Sequence, residues 1–149
     1  MTTGFAAKLI SIEAVDGKDT TKEALLHYLQ LEILGGDEPQ DSSTGHWWVA
    51  YDKALPVGFA SMVSSTRWGD TGYLSRSGVL PAYRGQGIQK RLLRARERKA
   101  RAIGWRWLIS DTFQNPPSSN NLISCGFRIF TPNEPWGFDG AIYWKKELF

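Results

Sequence analysis

Cysteine is nearly missing from this chain. Of 149 residues only Cys125 carries a thiol, which excludes an internal disulfide. Histidine is scarce too: His27 and His46 stand far from Cys125, so no Cys/His spacing of a structural zinc site is present and no metal is expected. No apolar run approaches the roughly 18 residues that a membrane-spanning helix needs, so no membrane partner is expected. Met1 to Phe5 shows no basic segment leading into an apolar one, the pattern of a secretory signal. A cytoplasmic, reducing compartment fits these absences. No internal repeat, low-complexity tract or linker divides the chain, so residues 1–149 are expected to form one domain with its own core.

Acidic residues are also missing from one stretch. Arg84 to Arg101 holds eight of the 18 Lys/Arg but one of the 15 acids, Glu97, so the rest of the chain is net acidic although the whole is +3. Such a cluster attracts polyanions: nucleotides, phosphorylated cofactors or nucleic acid.

Periodicity predicts ten elements. Lys8 to Val15 alternates as a first strand. Thr20-Thr21-Lys22-Glu23 caps a helix whose apolar positions run from Leu25 to Leu34, and Gly35-Gly36 ends it. Asp37 to Gly45 is a polar loop. Trp47 to Asp52, Val57 to Ser65 and Tyr73 to Leu80 read as strands. Ile88 to Ile103 is a basic helix with an inner face of Ile88, Leu92, Ala95, Lys99, Ala102 and Ile103. Trp105 to Thr112 is a fifth strand. A short helix follows Asn115-Pro116-Pro117, then strands at Phe127 to Phe130 and Ala141 to Lys146. The order β-α-β-β-β-α-β-α-β-β predicts an α/β (α+β) fold. One mixed sheet with helices on its faces is expected.

Between the fourth strand and the basic helix lies Arg84-Gly85-Gln86-Gly87-Ile88-Gln89. Strand, glycine turn and helix start together present free N–H groups and the positive end of a helix dipole to a phosphate. Gly85 and Gly87 remove side chains that would hold the phosphate off. No Gly-Lys-Ser/Thr follows, so this is not a Walker loop. The three spaced glycines of a dinucleotide fingerprint are missing as well.

A second motif, Asn115-x-x-Ser118-x-x-x-Leu122-x-x-x-Gly126-Phe127, follows the fifth strand. With Val79-x-Pro81-x-x-Arg84-Gly85-x-Gly87-Ile88 it resembles the GCN5-related N-acetyltransferases, the GNAT superfamily. The resemblance implies a mixed, mostly antiparallel sheet of six or seven strands with helices on both faces, in which strands four and five splay apart around acetyl-CoA as co-substrate. It implies that Arg84, Gly85, Gln86, Gly87, Ile88 and Gln89 hold the pyrophosphate. Gly78 and Val79 would pair with the pantetheine arm, Val79 N–H would stabilise the thioester oxyanion, and Asn115 and Ser118 would line the far wall. It further implies acetyl transfer to a primary amine, of a small molecule or a protein, by direct attack in a ternary complex. Two positions depart from the pattern. Gln89 replaces a Gly or Ala, and Leu122 replaces the tyrosine that protonates the departing thiolate in many members. Ser124 and Tyr143 are candidate replacement acids, each with a purely structural alternative. Leu122 also motivates a second reading, an acyl-CoA-binding homologue without catalysis.

The acceptor amine needs a base. Asp111 continues the inward phase of Trp107 and Ile109, so it is either that base or one half of an ion pair with Arg76. Asp37, Glu38 and Asp41 either attract a cationic amine or solvate a loop, and His46 is a weaker candidate base. Cys125 reads as packing. Of seven tryptophans, Trp47, Trp105, Trp107 and Trp144 read as core, while Trp68 and Trp136 are candidates to wall an acceptor pocket. A nucleic-acid-binding module using Lys90 to Arg101 is the remaining alternative. It leaves Asn115 to Phe127 unexplained and has no interleaved aromatics, which argues against nucleic acid. The acceptor's identity is not encoded in any motif, and a homodimer stays open.

Overall fold

A computed structural model describes residues 9–149. Lys8 of the first expected strand and the Met1 to Phe5 segment lie outside the described residues. The elements are β1 (Ile10–Val15), α1 (Thr20–Leu34), β2 (His46–Asp52), β3 (Leu55–Ser64), β4 (Thr71–Val79), α2 (Ile88–Ile103), β5 (Trp107–Thr112), α3 (Pro116–Ser124), β6 (Arg128–Phe130) and β7 (Ile142–Glu147). A single 3-10 turn, Pro81–Tyr83, sits between β4 and the glycine loop. It starts at Pro81, whose fixed φ suits a first helical position.

The strands form one seven-stranded sheet in the order β1-β2-β3-β4-β5-β7-β6. Every neighbouring pair is antiparallel except β4 and β5. The expected mixed sheet is therefore present. The chain's last strand, β7, inserts between β5 and β6, a crossover that element order alone does not specify.

Two apolar clusters hold helices to opposite faces. Leu26 and Leu29 of α1 pack on Trp47, Val49 and Phe59 on one face. Ile88, Leu92 and Leu93 of α2, with Leu122 of α3, pack on Val57, Met62, Leu108 and Trp144 on the other. Leu92 is fully buried, and truncating such a leucine to alanine typically costs about 2–5 kcal/mol.

The inner face of α2 differs from the sequence expectation. Buried positions are Ile88, Leu92, Leu93, Ala95, Arg96 and Ala100, whereas Lys99, Ala102 and Ile103 are exposed. Pattern reading rejects an arginine from a core. Arg96 is accepted there because Nη1 donates to the Ser61 carbonyl at 3.3 Å and Nε to that of Leu92 at 3.4 Å. Burial pulls its guanidinium down to about 10. The sequence pattern begins β5 at Trp105. Its N–H instead donates to the Ala100 carbonyl, closing the C-terminus of α2, and β5 starts at Trp107.

Candidate functional site

The parallel contact of β4 with β5 is short. It covers Thr71↔Trp107, Gly72↔Leu108 and Tyr73↔Ile109 and then stops. From Leu74 onward β4 keeps β3 on one side and has no paired strand on the other. This is the splay that the family resemblance implies, and it opens a notch bordered by unpaired backbone.

Register determines which groups face that notch. Leu80 N–H donates to the Val57 carbonyl at 2.8 Å. Donors alternate along an antiparallel strand, so Val79 N–H, one residue earlier, faces the notch, and so does that of Ser77. Gly78 turns its backbone toward β3, where its carbonyl lies 2.9 Å from the place of a Cβ on Gly58. Its contribution is the missing side chain: a Cβ at Gly78 would stand 2.3 Å from Cγ2 of Ile33 on α1.

At the mouth of the notch the chain makes the 3-10 turn and then the glycine loop. Gly85 and Gly87 have φ of +77° and +79°, and a Cβ on either would meet nothing within 4 Å. The glycines are thus required by conformation, since L residues resist that region. Gly87 is the N-cap of α2 and no side chain caps the helix, so its first N–H groups stay open. Arg84 folds back, with Nε donating to the Val79 carbonyl at 3.3 Å. On the far wall Asn115 is the N-cap of α3, and its Oδ1 accepts from Ser118 N–H at 3.2 Å. The Asn-x-x-Ser spacing is therefore a helix-capping spacing.

These parts enclose a cleft of about 630 Å³. Of the ten expected cofactor residues, Gly78, Val79, Arg84, Gly85, Gly87, Ile88, Gln89, Asn115 and Ser118 line it, while Gln86 sits exposed in the turn.

A second cleft of about 440 Å³ adjoins it, sharing Ser77, Gln89 and Asn121 among its walls. Asp111 lies here. Its Oδ1 accepts from the Tyr73 hydroxyl at 2.5 Å and from Trp136 Nε1 at 3.0 Å. Burial first, then the Asp111 bond, pushes the Tyr73 phenol far above its ordinary value, so it remains a donor. The expected Arg76–Asp111 ion pair is not formed: tyrosine and tryptophan reach the carboxylate first. Arg76 lines the same cleft, and its Nη1 is buried with no hydrogen-bond partner among the described residues.

A bulge directs Arg76 there. Register passes from Ala60↔Ser77 to Met62↔Leu74, so Ser75 and Arg76 stand opposite Ser61 alone. Ser61 Oγ accepts Arg76 N–H at 3.0 Å and bonds Ser75 Oγ at 2.6 Å. Sequence alternation carries no mark of this extra residue.

The remaining candidates separate. Tyr143 is the register partner of Asp111, and its hydroxyl accepts Gly137 N–H at 2.8 Å while its ring packs on Trp136 at 4.6 Å. Ser124 is exposed, donates to the Asn121 carbonyl at 3.0 Å, and lines neither cleft. It borders a groove with Arg94, Glu97 and Lys146, as does Cys125. Leu122 is buried in the α2-side core and lines the Asp111 cleft, where it offers no proton.

Asp37 reaches the cleft rim, whereas Asp41 is occupied by Ser43, whose N–H and hydroxyl lower its pKa. His46 packs edge-on to Trp105 at 6.1 Å and lines neither cleft. Trp68 packs on Trp107 and Phe130 and lines neither cleft. Among the described residues no helix is long and apolar enough to cross a membrane, and no group of His, Cys, Asp and Glu could hold a metal.

Residues 15–127 match the model of the acetyltransferase (GNAT) family. No curated protein matches the chain in sequence. Solved structures share its fold. An IAA acetyltransferase from Bacillus cereus is 24% identical, with 93% of this chain and 99% of that one aligned at a TM-score of 0.70. The ribosomal-protein-S18-alanine N-acetyltransferase of Escherichia coli is 18% identical over 94% of both chains, at 0.72. A Bacillus subtilis acetyltransferase in complex with CoA is 16% identical, with 94% of this chain and 99% of that one aligned, also at 0.72.

Proposed function

The chain belongs to the GNAT acetyltransferase family, and from that premise we propose that it transfers the acetyl group of acetyl-CoA to a primary amine by direct attack in a ternary complex. One observation carries the reading: the open β4 edge, the uncapped start of α2 and the Asp111 carboxylate border two adjoining clefts. On this reading an anion site, a strand edge and a base follow one another along one notch.

Acetyl-CoA, once bound, supplies an activated acyl carbon and a thiolate leaving group. The N–H groups at the start of α2, with Arg84 and the positive-φ loop from Gly85 to Gln89, hold the pyrophosphate. Val79 N–H, aimed into the notch, stabilises negative charge on the acyl oxygen as the amine attacks. Asn115 and Ser118 wall the arm on the α3 side. Asp111 takes the proton of the incoming ammonium, and Tyr73 and Trp136 fix its orientation. Tyr143 positions this cluster through Gly137 and Trp136 instead of acting as the acid. Ser124 has no part in the reaction, because it faces a different groove. Solvent in the open notch protonates the departing thiolate.

The test is thiol release from acetyl-CoA with a panel of small amines and peptides. Acceptor-dependent release supports the reading; none with any amine rejects it. The buried Leu122 favours one second reading, a CoA-binding protein without turnover. Saturable CoA binding with no acceptor-dependent thiol would establish that reading instead.

A further inference from the structure

We propose that the acceptor is a small amine that also carries a carboxylate, recognised by Arg76, an inference that rests on the acetyl-transfer reading above. Arg76 lines the Asp111 cleft but not the cleft assigned to CoA. Its Nη1 is buried without a hydrogen-bond partner among the described residues. A buried charged donor is costly to leave unmatched, and native structures seldom do so without a ligand or water in that place. The backbone of Arg76 is fixed by the Ser61 bulge, so its position on the cleft wall is set by the sheet.

The charges around this cleft are complementary to a zwitterion. Its walls contain two guanidinium groups, Arg76 and Arg96, and two carboxylates, Asp37 and Asp111. None of the four is ion-paired with another; the ion pairs among the described residues involve Glu97 and Glu147. Arg96 is committed to two backbone carbonyls, and Asp111 Oδ1 to Tyr73 and Trp136. That leaves Arg76 as the cation with an open donor, in the same cavity as the base. An arginine fork matches a carboxylate in two parallel bonds, which is why a carboxylate is the counter-group. The ammonium end then goes to Asp111 and the carboxylate end to Arg76. Arg76 is a specificity residue that touches substrate away from the reacting atoms.

The experiment uses matched acceptors: glycine, β-alanine, 4-aminobutyrate and 5-aminopentanoate, α-amino acids beside their amides, and the n-alkylamine of each chain length. An aminoalkylphosphonate separates carboxylate from other oxyanions. Wild-type kcat/KM is expected to favour one carboxylated acceptor over its uncharged match by about 10- to 100-fold, the worth of a hydrogen bond to a charged group. Arg76→Gln should erase that preference, mostly through KM, with the CoA dissociation constant unchanged, and Arg76→Lys should restore part of it. Equal rates on matched pairs in the wild type would overturn the inference. So would an Arg76→Gln variant that slows both members equally or weakens CoA binding, as a structural or cofactor role demands. If no amine is acetylated, the acetyl-transfer reading fails separately, and binding decides the rest. A rise in the melting temperature of the CoA-bound protein with a carboxylated amine, absent with its match and absent in Arg76→Gln, would retain the site. No such rise would reject it.

Discussion

The two halves of the notch are built differently. On the α2 side the working groups are backbone: open N–H groups after Gly87, the outward N–H of Val79, and two glycines at positive φ. On the Asp111 side they are side chains drawn from β4, β5 and the segment before β7, namely Tyr73, Arg76, Asp111 and Trp136. Backbone sites come from local conformation, so a few adjacent residues write them. Side-chain sites come from register, so residues far apart must be brought together before the chemistry exists.

This division can be broken by changing one half while measuring the other. The largest effect is expected from Asp111→Asn, which removes the base and keeps the shape. Turnover should fall by about 10²- to 10⁴-fold, while the CoA dissociation constant in calorimetry stays at the wild-type value. A matched loss of CoA affinity would merge the two halves. Next is Gly87→Val, which forces a β-branched residue into φ +79° at a cost of roughly 1–2 kcal/mol or more. CoA binding should weaken about tenfold or more, with turnover at saturating cofactor largely kept. Equal losses in both would contradict the separation.

Tyr73→Phe should have a smaller effect, because Trp136 still holds Asp111. About a tenfold loss in kcat is expected for one hydrogen bond to a charged group. Since burial keeps the Tyr73 phenol protonated well above neutral pH, the shape of the pH–rate profile from pH 6 to 9 should match the wild type. A lost basic limb would assign Tyr73 a titrating role.

The smallest effect belongs to His46, outside both clefts. Burial, then the charge of Lys99, lowers its folded-state pKa. The unfolded chain therefore takes up this proton first as pH falls through about 6.5, and stability drops. Denaturation from pH 8 to 5 should show a shallower fall in a His46→Gln variant, with CoA affinity unchanged at pH 8. An identical slope would mean that His46 does not contribute to the acid-side loss of stability.

The same division explains what could be read from the sequence. Gly85, Gly87, Asn115 and Ser118 are legible because turn conformation and helix capping are local. The splay was visible only through the resemblance those motifs carry. Arg76 was legible as a cation near Asp111, yet its pairing was not. The bulge opposite Ser61 resets the phase of β4, and Trp136 arrives from 25 residues downstream. Arg96 was hidden by the same limitation: a charge pattern places it in solvent, and the carbonyl of Ser61, 35 residues away in sequence, joins that of Leu92 in making its burial tolerable. Gln30 is another such case. Its fully buried amide exchanges hydrogen bonds of 3.0 and 2.8 Å with the Gln40 backbone, which pins the loop after α1.

CoA held by backbone and an acceptor held by side chains should meet across one notch. A crystal structure of the CoA complex tests this most directly. The pyrophosphate is expected on the N–H groups of Gln86 to Gln89, the pantetheine arm along Ser77 and Val79, and the thiol directed toward the Asp111 cleft. CoA seated on the exposed basic face of α2, with the β4 edge left open, would contradict it.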